Sequence, residues 1–138
     1  MRHFLADTGV SDRDRLRLTM PPPLLRLLIV EDDEVLRDTL PLLLESDDRD
    51  ITVCETAEDG LARHRARPFD VVLTDVTLAG MSGVALAQAV LADAPDTWVV
   101  LVSGHALDPA VRAMGPNVHL VQKPFEIARI EALLAERG

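Results

Sequence analysis

Aromatic residues, cysteine and lysine are all scarce in this chain of 138 residues. With three phenylalanines, one tryptophan and no tyrosine, the core must be aliphatic. A single cysteine, Cys54, excludes an internal disulfide and fits a reducing compartment. Basic residues are outnumbered: the formal charge of −9 argues against nucleic acid or an anionic membrane as the main partner. No apolar run reaches membrane-spanning length, and no basic start, apolar core and small-residue cleavage site marks a signal peptide. These absences predict a soluble, cytoplasmic protein. No internal repeat is visible, and the length suits one domain with a real core rather than two.

Lysine is the most telling scarcity. Thirteen of the fourteen basic residues are Arg, and the exception is Lys123, in Val121-Gln122-Lys123-Pro124-Phe125. Arg is a broad, delocalised fork, whereas Lys is a compact ammonium that acts as a point charge on an oxyanion. A lone Lys closing a short apolar run suggests a task that Arg cannot perform.

The other apolar runs end in equally reactive residues. Leu27-Leu28-Ile29-Val30 leads into Glu31-Asp32-Asp33, Phe69-Asp70-Val71-Val72-Leu73-Thr74 ends at Asp75, and Trp98-Val99-Val100-Leu101-Val102 ends at Ser103-Gly104. Short, bounded apolar runs of this kind are expected of strands buried on both faces of a parallel sheet. Helix-length segments lie between them, so an α/β fold is predicted. Parallel strands share one carboxyl edge, where ligands of open α/β sheets bind. Carboxylates, a hydroxyl and an ammonium should therefore converge on one site. An Asp ending an apolar strand would be costly to bury without a cation nearby.

The predicted strands cover residues 26–30, 51–54, 70–74, 98–102 and 118–121. The predicted helices cover 33–46, 57–66, 82–93, 107–114 and 125–136. Leu36, Leu40, Leu43 and Leu44 give the first helix a stripe to bury, as Val84, Ala87 and Leu91 do for the third and Ile127, Ile130 and Leu134 for the last. Asp33, Ser82 and Asp108 are placed to cap helices, and Pro41 should kink or divide the first one. Residues 1–23, polar and closed by Pro21-Pro22-Pro23, read as a flexible arm before a domain at 24–138. Met20 is an alternative start.

Val30-Glu31-Asp32-Asp33, Leu73-Thr74-Asp75 with Gly80-Met81-Ser82-Gly83 behind it, Val102-Ser103-Gly104 and Lys123-Pro124-Phe125 together resemble the receiver domain of bacterial two-component response regulators. Each piece alone is weak, but the set, in this order and at these strand ends, is specific. The resemblance spans residues 26–137. It implies a doubly wound, flavodoxin-like parallel sheet of five strands in the order 2-1-3-4-5, with helices on both faces. It also implies that the Lys123–Pro124 bond is cis.

The same resemblance makes Asp75 the acceptor of a phosphoryl group. The donor would be a sensor histidine kinase, a histidine phosphotransfer protein or a small phosphodonor. Phosphoryl transfer is mostly positioning and charge neutralisation, which a Mg²⁺ ion supplies best. Asp32 and Asp75 would ligate it directly, the Thr77 backbone carbonyl would be the third protein ligand, and Glu31 would act through a water. Lys123 would be the second cation, while Ser103 and the Gly104 amide would donate to phosphoryl oxygens. Thr77 and His105 flank the site at positions that set how fast the phosphoryl group is lost to water, and Leu120 stands at the switch position. Such a protein is not an enzyme beyond its own phosphorylation and dephosphorylation.

Three departures stand out. Ala79 replaces the proline common four residues after the acceptor, Leu120 replaces the usual aromatic, and the segment between the last two strands is about two residues short. A haloacid-dehalogenase-type phosphatase would need a second Asp where Thr77 stands, and a nucleotide-binding module would need a Gly-rich loop after the first strand. A receiver-like scaffold that works without phosphorylation is the main alternative. With the chain ending at Gly138, the expectation is a single-domain, chemotaxis-regulator-like protein. It would act on a downstream protein target or within a phosphorelay, as a monomer or weak dimer.

Overall fold

The computed structural model describes residues 24–105, 111 and 113–137. The arm expected at 1–23 and most of the helix expected at 107–114, with its Asp108 cap, lie outside the described residues. Five strands form one sheet: β1 (Leu25–Val30), β2 (Arg49–Cys54), β3 (Val71–Asp75), β4 (Trp98–Ser103) and β5 (Val118–Gln122). All neighbours are parallel, in the order β2-β1-β3-β4-β5. Among the described residues four helices cover it: α1 (Glu34–Leu44), α2 (Ala57–Ala66), α3 (Gly83–Asp93) and α4 (Ile127–Arg137). The fold class and strand order expected from the sequence are those observed.

Alternation along the strands assigns side chains to two cores. Leu28, Val30, Val72 and Leu101 pack with Ala57, Leu61, Leu86, Ala87 and Val90 of α2 and α3. Leu27, Ile29, Leu73, Val100 and Val102 pack on the opposite face with Leu40 and Leu44 of α1 and Ile130, Leu133 and Leu134 of α4. The register sets Val30 beside Thr74, Asp75 beside Val102 and Ser103 beside Gln122, so the carboxyl ends of the central strands finish level. Side chains of Asp33, Thr56 and Ser82 accept from the amides of Leu36, Asp59 and Ala85 and fix where α1, α2 and α3 begin. Arg49 grips both carboxylate oxygens of Glu131 at 2.8 and 2.7 Å and donates to the Leu44 carbonyl at 2.8 Å. That one side chain ties β2, the end of α1 and α4 together.

Several local expectations are corrected. The first helix is not divided: α1 runs unbroken through Pro41 to Leu44. The proline falls in the last turn, where it forfeits one amide, and buried Leu40 and Leu44 on either side anchor that turn to the sheet. Leu43 is 54% exposed rather than part of the buried stripe. In α3 the buried residues are Gly83, Leu86, Ala87 and Val90, with Val84 and Leu91 only half-buried. A helix apolar almost all round gives periodicity little to discriminate. Among the described residues no helix is long and apolar enough to cross a membrane.

His64 is a buried polar member of this frame, 1% exposed, with Nδ1 accepting the Phe69 amide at 3.1 Å. Burial holds its pKa below the ordinary 6.5, so the unfolded chain takes up the proton first. Its contribution to stability is present above pH 6.5 and is lost as the pH falls below it. Replacing His64 with Asn keeps an acceptor for Phe69 but cannot titrate. Between pH about 7.5 and 5.5 the urea midpoint of the native protein should fall more than that of the variant, as measured by circular dichroism.

Candidate functional site

The strand ends do converge. Asp75 is the last residue of β3, Glu31 and Asp32 follow β1, Ser103 ends β4, and Lys123 follows β5. Lys123 Nζ donates to Asp75 Oδ2 at 2.8 Å and lies 3.7 Å from Glu31 Oε1. The Lys123 amide donates to the Ser103 carbonyl at 2.7 Å, which fixes the lysine backbone against β4, and the Lys123–Pro124 bond is cis. The other acceptor oxygen, Asp75 Oδ1, receives the Thr77 amide at 3.1 Å. Both oxygens of Asp75 are thus engaged. Behind it, Thr74 Oγ1 donates to the Asp75 carbonyl at 2.9 Å. Gly83 closes the loop with its amide on the Val76 carbonyl, and a Cβ there would sit 2.0 Å from the Asp75 carbonyl oxygen. Only glycine fits at that approach.

Electrostatics at the cluster are strained by proximity. Glu31 is 3% exposed, and burial together with the nearby Asp75 charge pushes its carboxyl up to about 7. Lys123 feels burial as well. The Asp75 hydrogen bond and the Glu31 and Asp75 charges outweigh that cost and raise it above its usual value. It stays an ammonium.

Carboxylate oxygens of Glu31, Asp32 and Asp75 lie within 4.8 Å of one another. Glu31 Oε2 is buried without a hydrogen-bond partner among the described residues. A buried, unpartnered carboxylate oxygen beside two further carboxylates is costly on its own, and it suits an oxygen-seeking divalent cation. These three residues fit such an ion.

Ser103 is 6% exposed, and its hydroxyl is folded into its own turn. It donates to the His105 carbonyl at 2.9 Å and accepts the His105 amide at 3.1 Å. Gly104 and His105 are exposed beside it. Thr77 is exposed, and the recorded contact with Asp75 is through its amide. Leu120, half-buried, packs against the α2–α3 core, one strand removed from β3. Sequence reasoning missed two supports of the acceptor: the Thr74 hydroxyl and a carboxylate on α2, Glu58, which reaches the loop behind Asp75. A polar residue inside an apolar strand signals the first. Nothing local signals the second.

Glu31 sets a pH dependence of its own. Its folded value, about 7, lies above the ordinary 4.5, so the folded protein holds a proton that the unfolded chain has released. Without divalent metal, this group makes stability fall as the pH rises from 4.5 towards 7, and the penalty is complete above that. Replacing Glu31 with Gln should therefore stabilise the protein at pH about 8 in chelator and give no such gain at pH about 4.5, read from thermal midpoints.

Comparison with known proteins agrees with this geometry. Residues 27–135 match the family model of the response regulator receiver domain. The cell cycle response regulator CtrA of Brucella ovis is 28% identical over 116 residues, covering 80% of this chain and 50% of that protein. The chain thus spans about half the length of the curated relatives it matches. The receiver domain (CheY-like) of Methylobacillus flagellatus superposes with a TM-score of 0.74 at 28% identity, covering 83% of this chain and 99% of that one. A BeF3-activated DrrB receiver domain gives 0.68 at 25% identity, covering 81% and 98%. With its five parallel strands and its acidic edge facing one ammonium, the chain belongs to the response regulator receiver domains of two-component systems.

Proposed function

We propose that this domain accepts a phosphoryl group on Asp75 in a Mg²⁺-dependent reaction and that the modified domain changes its contacts with another protein. The observation that carries the reading is the 2.8 Å contact of Lys123 Nζ with Asp75 Oδ2, made where oxygens of Glu31, Asp32 and Asp75 lie within 4.8 Å. An Asp75 oxygen attacks phosphorus, and the phosphorus–nitrogen bond of a donor phosphohistidine breaks. The imidazole leaves with the electron pair on that nitrogen and is neutral because its other ring nitrogen carries a proton. Hydrolysis of the acyl phosphate returns the carboxylate and inorganic phosphate.

Each residue of the edge has a part. Asp32 and Asp75 hold the cation directly, the Thr77 carbonyl completes the protein ligands, and Glu31 acts through a water. When bound, Mg²⁺ neutralises the charge that two approaching anions would otherwise set against each other. Lys123 gives up its hold on Asp75 Oδ2 and takes a phosphoryl oxygen instead. Ser103 exchanges the His105 carbonyl for another phosphoryl oxygen, and the Gly104 amide adds a donor. Thr77 and His105 border the path of a hydrolytic water. Leu120 has no hydroxyl and little bulk to swing, so the signal leaves chiefly through the Ser103–His105 loop. The donor is a sensor histidine kinase or a histidine phosphotransfer protein, and the recipient is a downstream protein.

Incubation with acetyl phosphate and Mg²⁺ should add the mass of one phosphoryl group to the intact protein. Chelator should abolish the gain, and so should Asp75→Asn. A full gain on the Asn variant would overturn the assignment of the acceptor, and none on the native protein would favour a scaffold that works without phosphorylation. Lys123→Arg tests the point charge separately. Arg keeps the sign but brings a wide fork to a site shaped for a compact head. The variant should still be modified, yet lose the backbone chemical-shift changes that the native protein shows at residues 103–105 on adding beryllofluoride and Mg²⁺.

A further inference from the structure

We infer that Glu58, on the first turn of α2, is a positioning residue for the loop that follows Asp75. The loop, Val76-Thr77-Leu78-Ala79-Gly80-Met81-Ser82, contains no proline to restrict its backbone. Its two ends are fixed, by the Thr77 amide on Asp75 Oδ1 and by Gly83 and Ser82 at the start of α3. Leu78 is buried in the α2–α3 core, but Ala79 and Gly80 are exposed. What holds the exposed turn comes from another element. Glu58 Oε2 accepts the Met81 amide at 3.4 Å.

Gly80 shows how closely that carboxylate lies on the turn. A Cβ on Gly80 would be 2.6 Å from Glu58 Oε2, and the residue has a φ of +78°. The backbone conformation by itself favours glycine here, and the Glu58 carboxylate, the free end of a flexible side chain, settles into the space that a side chain would otherwise take. Glu58 has no competing duty within its helix. Thr56 caps the first turn, and Asp59, not Glu58, pairs with Arg63. The helix beneath is well seated, since Ala57 and Leu61 are buried in the core that also takes Leu78. A carboxylate on a fixed helix thus reaches across to the exposed turn of a loop whose Leu78 and Met81 side chains pack on the α2–α3 core.

The consequence rests on the function proposed above, in which this loop presents the Thr77 carbonyl to Mg²⁺. Glu58 would narrow the positions that carbonyl samples before the ion arrives and so lower the ordering cost of binding. One net hydrogen bond of this kind corresponds to a factor of roughly 2–10 in an equilibrium constant.

The test compares native protein, Glu58→Ala and Glu58→Gln. Gln keeps a carbonyl oxygen for Met81 but removes the charge. Mg²⁺ affinity is measured by calorimetry, and exchange of the Met81 amide is followed by NMR in chelator, without metal. The Ala variant should bind Mg²⁺ about 2–10-fold more weakly and exchange the Met81 amide faster by a similar factor, while Gln stays near the native protein in both. Unchanged Met81 exchange in the Ala variant would overturn the tether. Weakening in Gln equal to that in Ala would also overturn it, because charge alone would then be acting. Native protein that binds no Mg²⁺ would sink the proposed function instead, and the Met81 exchange would still decide the tether.

Discussion

The site depends on one ammonium set among carboxylates that a parallel sheet forces together. Strands of one direction deliver their terminal residues to a common edge, and here those residues are Glu31, Asp32 and Asp75. Burial first, and then the neighbouring Asp75 charge, push the Glu31 carboxyl up to about 7 even with Lys123 present. Lys123 offsets this only because its backbone is pinned, amide to the Ser103 carbonyl at 2.7 Å. A one-residue slip of β5 against β4 would turn the strand's alternate side chains to the wrong faces and remove the lysine from Asp75. The core residues that fix this register, Val121 on one face and Leu120 on the other, are thus as necessary to the site as the charges.

Much of this was legible from residue order alone. Short apolar runs ending in acid, acid, hydroxyl and ammonium specify both the parallel sheet and its reactive edge, because burial on two faces and a shared carboxyl end are properties of the run and its terminus. Caps at Asp33 and Ser82 were legible too, since capping depends on a residue and the amide three positions on. Less was legible where packing chooses among equals. Nothing in an apolar α3 says that Leu86 and Val90, rather than Val84 and Leu91, face the sheet. Nor does the sequence say that Pro41 falls late enough in α1 to be tolerated. The Glu58 contact with Met81 links positions 23 residues apart, and no periodicity reports such a pair.

The Lys123 ammonium and the Ser103 hydroxyl, both proposed to bind a phosphoryl group, already have partners, and so does the acceptor carboxylate. Asp75 Oδ2 has Lys123, Asp75 Oδ1 has the Thr77 amide, and the Ser103 hydroxyl has the His105 backbone. On the function proposed above, each of these bonds would be exchanged rather than newly made when a phosphoryl group arrives, so the net gain per contact would be modest. Small net differences suit a switch, since a two-state equilibrium is inverted by a few kcal/mol of differential binding. A resting site of unpaired donors would bind anions more tightly but would have little reason to return.

Formal charge explains why a cation should precede the donor on the proposed reading. Three carboxylates against one ammonium leave a surplus of two negative charges at the edge. Two like unit charges 4 Å apart repel by about 4 kcal/mol near a protein surface, so a net negative edge opposes the approach of a phosphoryl dianion. Protonation of Glu31 near neutral pH is the relief open to the chain by itself, and it removes one charge at the expense of a ligand. With a divalent cation held instead, the surplus vanishes and Glu31 can remain ionised. Phosphorylation then exchanges the single charge of Asp75 for two and leaves a surplus of one. The modified, metal-bearing edge is less negatively charged than the empty one, so the same arrangement that repels an anion at rest can retain it once loaded.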